Sequence, residues 1–179
     1  MLHLLDANVL ITAHRFYYPL DRVPEFWEWL LAMGSDGQLK LPLDMVEEVC
    51  DGTDDLADWL SDAEHRAALQ LDELADVALV QRAINEGYAP NLNDEEIEIL
   101  GRDPFLVAHA LRDPAARCIV TTEVSKPRRT RANRRLPDVC NQLHIRWMDS
   151  FGLVRALDFS TSWKAPESAT VDTSADTAF

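Results

Sequence analysis

Five acidic residues stand where an α/β chain would place chemistry. Asp6 ends the apolar run "MLHLLDANVLI", Glu47 and Glu48 lie in "DMVEEVCDG", Asp103 opens "DPFLVAHAL", and Glu123 closes "RCIVTTEV". In open α/β sheets, ligands gather at the carboxyl ends of the strands. Carboxylates from two strand ends and two helices, brought together there, would repel and raise one another's pKa values unless a cation neutralised them. Oxygen donors with no His or Cys beside them favour a hard divalent ion, Mg2+ or Mn2+. Such an ion lowers the pKa of a bound water and stabilises charge on phosphate oxygens, which suits hydrolysis of a phosphodiester. Each acid also has a purely local use. Asp6 can form a turn and cap the next element, Asp103 before Pro104 is a standard N-cap arrangement, Glu47 and Glu48 are ordinary exposed helix acids, and Glu123 can close a strand.

The elements that would position these acids read as strands alternating with helices. "MLHLLDANVLI", interrupted by Asp6 and Asn8 where its strand would end, "QLKLPL" (38–43), "RCIVTTEV" (117–124) and "LHIRWMD" (143–149) are short apolar runs with strand character. Between them, a helix is expected from Pro24 to a stop at Gly34, another over 44–50 with Asp44 as N-cap, and a third over 53–65 capped by Thr53. "DELADVALVQRAINEG" (72–87) places Leu74, Val77, Ala78, Gln81 and Ile84 on one inward stripe, with Gly87 as its stop. Residues 93–113 read as two helices joined near Gly101, and "SFGLVRAL" (150–157) as a last short one. This alternation favours an α/β fold with a parallel sheet. The final segment is rich in Ser and Thr, so the chain divides into a folded unit over 1–158 and a polar, disordered tail over 159–179.

The 179 residues suffice for one domain with a sizeable core. No apolar stretch approaches a membrane span, no basic leader precedes an apolar core, and three widely spaced cysteines suit free thiols in a reducing cytoplasm. A net charge of −14 argues against nucleic-acid binding over the whole surface. The segment "KPRRTRANRR" (126–135), however, holds six of the 17 basic residues and no acid. It is either a solvated loop or a local site for phosphate or an acidic partner. "FYY" (16–18) can stack bases, although anchoring of a loop or core is the commoner use.

Four motifs in order, "LLDANVLI", the acid of "MVEEVCDG", "DPFLVAHAL" and "IVTTEV", resemble a PIN domain. More narrowly, "LLDANVLITAHRFYYP" and "LPDVCNQL" resemble the VapC-type toxin branch, over residues 2–157. The resemblance implies a Rossmann-like three-layer α/β/α fold and a Mg2+- or Mn2+-dependent endoribonuclease. By the same resemblance, a metal-activated water cleaves RNA to leave a 3′-hydroxyl and a 5′-phosphate. It assigns Asp6, Glu48 (preferred to Glu47), Asp103 and Glu123 to metal and catalysis, with Asn8 and Thr121 in support. Where the family usually has Thr-x-Asp, this chain has Thr121-Thr122-Glu123, which leaves one metal or two open. Asp138 is a further carboxylate, though capping a helix after Pro137 is its simpler role. Lys126, Arg128, Arg129 and Arg131 would guide RNA. As partners the resemblance implies RNA, a cognate antitoxin protein and a homodimer, with no membrane. Two other readings compete: a PIN-like domain that binds RNA or protein without cutting, and a metal-dependent phosphatase of another Rossmann-like group. The phosphatase group usually carries a second Asp where Asn8 stands.

Overall fold

The computed structural model describes residues 1–164, whose four short strands build one parallel sheet. β1 (Leu2–Leu5) lies between β2 (Leu39–Lys40) and β3 (Arg117–Val120), and β4 (Arg146–Met148) adds to β3, so the order is β2-β1-β3-β4. The register sets Leu4 beside Lys40 on one side and Ile119 on the other. Leu4, Leu5, Ile119 and Val120 are fully buried, as parallel strands covered on both faces require.

Among the described residues, ten α-helices complete a three-layer α/β fold. They are α1 (Ala7–Thr12), α2 (Pro24–Ser35), α3 (Leu43–Cys50), α4 (Asp55–Ser61), α5 (Ala63–Leu69), α6 (Val77–Arg82), α7 (Asp94–Leu100), α8 (Asp103–Leu111), α9 (Leu136–Gln142) and α10 (Ser150–Ala156). α8 lies against β1 and β3, α2 against β2, and α9 against β4. α1 and α6 each run on into a π-helical turn, Ala13–Tyr17 and Ala83–Tyr88. No helix among the described residues is long and apolar enough to cross a membrane. Cys50, Cys118 and Cys140 are free thiols.

Several local expectations are corrected, each for a packing reason. Gly34 does not stop α2 but lies buried within it, because a Cβ there would meet the Ala68 carbonyl oxygen at 2.7 Å and Leu69 Cδ2 at 2.8 Å. Glycine is thus what lets α2 approach α5. Gly34→Ala is expected to destabilise the protein by about 2 kcal/mol through overpacking, read as a lower denaturant midpoint at unchanged slope. α3 begins at Leu43 with Pro42 as its cap residue, leaving Asp44 in the first turn. The segment expected as one helix over 53–65 is two, because Asp54 and Asp62 each accept backbone N–H groups at a new helix start, while Thr53 caps nothing.

Of the expected stripe over 72–87, only Ile84 turns inward, half-buried against the core. Leu74, Val77, Ala78 and Gln81 are exposed, whereas Ala83, Gly87 and Tyr88 are buried. α6 begins only at Val77, so Leu74 lies in the loop before it, and in the π-helical turn that follows, Gly87 admits Val139 and Leu143. The folded unit also runs past residue 158. Phe159 meets Phe26 edge-on with ring centres 5.4 Å apart, and Trp163 Nε1 donates to the Glu25 carbonyl at 3.1 Å. The rest of the expected tail, from 165 on, lies outside the described residues.

Candidate functional site

Passing from β1, the chain goes to β2 on one side and then crosses to β3 on the other. The gap between the carboxyl ends of β1 and β3 is therefore the topological switch point, where α/β sheets hold ligands. Asp6 follows β1 and Thr121 follows β3, and they meet there. The Thr121 hydroxyl donates to Asp6 Oδ2 at 2.7 Å, and the Asp6 backbone N–H donates to the Val120 carbonyl at 2.9 Å. Asp6 is buried, and its Oδ1 accepts the Asn8 N–H at 3.2 Å. Asp6 thus does both things its position allowed: it caps α1 and presents a carboxylate at the strand end. Asn8 supports it through its backbone.

Asp103 is the first residue of α8 and makes no cap hydrogen bond, so the capping expectation fails for it. Its Oδ2 instead accepts the hydroxyl of buried Tyr88 at 3.4 Å. Burial, followed by the charges of Asp6, Glu123 and Glu48, pushes the Asp103 carboxyl up to about 8. Glu48 is raised by burial and then by Asp6, with Arg102 opposing. Asp6 is raised by burial above all, with Glu123 adding and Thr121 and Asn8 opposing. Asp103 thus feels the charges of Asp6, Glu123 and Glu48, and Asp6 feels that of Glu123. Glu47 is exposed and faces Arg102 at 3.8 Å, outside the cluster, so the geometry separates the two neighbouring glutamates.

Glu123 is the best anchored of the four. Arg135 Nη1 donates to its Oε1 at 2.6 Å and the Leu136 N–H to its Oε2 at 2.7 Å, while its own N–H donates to Thr121 Oγ1 at 3.1 Å. Asp138 neither caps nor joins the acids. It accepts the Ser125 hydroxyl at 2.5 Å and the Lys126 N–H at 2.7 Å, and so pins the loop that carries Glu123 to α9.

Burial and like charge dominate at Asp6 and Asp103, and among the described residues no cationic side chain eases either of them. An all-oxygen donor set of this kind fits a hard divalent cation better than zinc. Among the described residues no three His, Cys, Asp or Glu side chains form a ready ligand group.

The basic segment divides in two. Arg131 binds Glu96 through Nε at 2.6 Å and Nη2 at 2.7 Å, Arg134 donates to the carbonyls of Gly87 and Asp138, and Arg135 holds Glu123. These three serve the fold, so Arg131 is withdrawn from the expected RNA-guiding set. Lys126, Arg128 and Arg129 are exposed and form no ion pair among the described residues. Tyr88, Arg102 and Arg135 were not legible as site residues. Their link to the acids is long-range, and only the apolar company of Tyr88 at a helix end hinted at burial.

A family model described as Domain of unknown function (DUF4411) matches residues 3–161, so the chain belongs to that family. No curated protein and no solved structure matches it.

Proposed function

We propose that this DUF4411 chain is a metal-dependent endoribonuclease of the PIN class, acting in the cytoplasm as the toxin of a toxin–antitoxin pair. The observation that supports the reading is that Asp6 stands at the switch point bound to Thr121, and that Asp6, Glu48 and Asp103 each have their proton affinity raised by burial and by at least one other acid of the set Asp6, Glu48, Asp103 and Glu123. The motif order of the sequence supports the PIN class, and through it RNA, an antitoxin and a homodimer as partners.

Asp6, Glu48 and Asp103 would hold Mg2+ or Mn2+, with Glu123 beside them. The bound ion supplies an activated water and charge neutralisation at the phosphate. The chain's own groups set the stage. Thr121 and the Asn8 N–H fix the Asp6 carboxylate, Tyr88 orients Asp103, and Arg135 with the Leu136 N–H aims Glu123. Lys126, Arg128 and Arg129 lie just along the loop and attract the phosphate backbone.

The test is cleavage of a labelled RNA pool by purified protein, freed of any partner, with Mn2+, Mg2+ or EDTA. Cutting that requires a divalent ion is expected. A second reading has one specific support: Arg135 already neutralises Glu123, as it would in a PIN-like domain that binds without cutting. RNA binding with no cutting under either metal would establish that reading.

A further inference from the structure

The carboxylate cluster does not explain a row of exposed aromatics beside it. Phe16 is 73% exposed, Tyr17 49% and Phe151 43%, and Val124, one residue past Glu123, is 72% exposed. Tyr17 and Phe151 meet edge to face at 5.3 Å. They come from opposite ends of the chain, so tertiary structure rather than local sequence builds the pair. The π-helical turn Ala13–Tyr17 is what turns Phe16 and Tyr17 outward, and such turns are frequent at functional sites.

Tyr17, Phe151, Val124 and Trp147 line a groove of about 440 Å3 that includes Glu123. Trp147 is held by its Nε1, which donates to Asn141 Oδ1 at 3.0 Å. The one other acid of the groove, Asp149, has its carboxylate turned to the Gly152 N–H at 2.6 Å, where it caps α10. Through Thr122, Glu123 and Val124 the groove continues into a second of about 470 Å3 that reaches Lys126 and Arg135. Lys126 then leads to a third, lined by Arg128 and Arg129. An aromatic floor, an acidic centre and a cationic exit thus succeed one another along a single path.

We propose that this path is a single-stranded RNA track. Bases stack on Tyr17, Phe151 and Trp147 on one side of the acids, while the backbone on the other side lies against Lys126, Arg128 and Arg129. The proposal rests on the nuclease reading and deepens it by naming the form of the substrate. A duplex keeps its bases stacked on each other and offers none to a protein aromatic, whereas every unpaired base has a free face. The charge order matches the occupant, since a phosphate chain needs cations where the apolar floor ends.

The experiment is fluorescence anisotropy of a labelled twelve-nucleotide RNA in EDTA, so that nothing is cut, compared with the same sequence in a duplex and with single-stranded DNA. Single strands are expected to bind at least tenfold more tightly than the duplex, and similar binding of DNA would make the track one for single strands of either sugar. Tyr17→Ala and Phe151→Ala are each expected to weaken single-strand binding about tenfold with the salt slope unchanged. Arg128→Ala with Arg129→Ala is expected to lower the salt slope by about two. Val124→Glu, at a side chain too exposed to matter for folding, places a charge in the middle of the track and is expected to weaken binding similarly. Wild-type binding by both Tyr17→Ala and Val124→Glu, or equal affinity for the duplex, overturns the proposal. So does absence of RNA binding in a protein whose Tyr17→Ala variant releases a bound partner protein, since the groove is then a protein-docking surface. Cleavage assays with Mn2+ keep the two readings apart. Groove-dependent binding without cutting leaves the track and removes the nuclease, and metal-dependent cutting that ignores the groove variants does the reverse.

Discussion

Asp6→Asn is expected to lower RNA cleavage on the order of 10²–10³-fold, the size seen when one preorganised electrostatic group is removed from a site. The substitution keeps nearly every contact. Asparagine's oxygen can still accept the Asn8 N–H, and its amide NH2, in the place of Oδ2, can donate to the Thr121 hydroxyl oxygen, so the cap of α1 survives and the bridge between β1 and β3 is kept with its direction reversed. What goes is one negative charge at the switch point. Because burial already works against that charge, its loss is not expected to weaken the fold, and the melting temperature of the variant should equal or exceed the parent's. The measurement is single-turnover cleavage at saturating Mn2+ beside a thermal melt. A folded variant that cuts at the parental rate would remove Asp6 from the chemistry and leave it as a cap. Thr121→Val serves as the companion. It leaves the carboxylate but frees it to rotate, so a smaller loss, about tenfold, is expected from lost positioning.

Asp103→Asn is expected to stabilise the metal-free protein strongly at pH 8. The folded state holds the Asp103 carboxyl up to about 8, whereas an unfolded chain releases that proton near pH 4. Between these values the folded protein binds a proton that the unfolded chain has lost, so stability falls as pH rises through the window. By pH 8 the penalty is about 3–6 kcal/mol at ~1.4 kcal/mol per pKa unit, and removing it should raise the melting temperature by roughly 10 °C. Asp6 and Glu48, also raised, act in the same direction. Glu73, lowered by its hydrogen bond to Arg117, acts oppositely, but its contribution is lost only at acid pH as its folded-state carboxyl titrates. Melts of the apo protein from pH 5 to pH 8 should therefore show falling stability in the parent and a flatter profile in the variant. Mn2+ should restore the parent at pH 8 and do little at pH 5, where protons already occupy the acids. A parent profile that is flat from pH 5 to pH 8 would mean that these acids do not share a space.

How much of this was readable beforehand depended on the range of the interaction involved. The strands were legible because buried parallel strands are short and apolar, as "LHLL" and "RCIV" are. Asp6, Asp103 and Glu123 were legible as acids at element ends, the parallel α/β sheet came from alternation, and the three-layer arrangement was implied by the resemblance. Choices that depend on a distant partner were not legible. Gly34 looks like a helix stop until Ala68 is placed against it. Asp103 looks like a cap until Tyr88 reaches its carboxylate. Arg131 looks like a free cation until Glu96, thirty-five residues earlier, takes it. The stripe of 72–87 failed for another reason. Periodicity assumes one helix throughout, whereas residues 71–76 are not helical and α6 begins only at Val77, so the phase of the stripe was set on a loop.

The Thr121–Asp6 hydrogen bond spans 115 residues of sequence, and it sets an order in time. β1 is the first strand to be synthesised, yet both its place between neighbours and the company of its terminal aspartate await β3. Contacts this remote close late in folding, because the loop between them must be ordered first. On the ribosome, Asp6 is made long before Glu123. The acids therefore assemble last, so a nascent or truncated chain carries their residues without their joint chemistry.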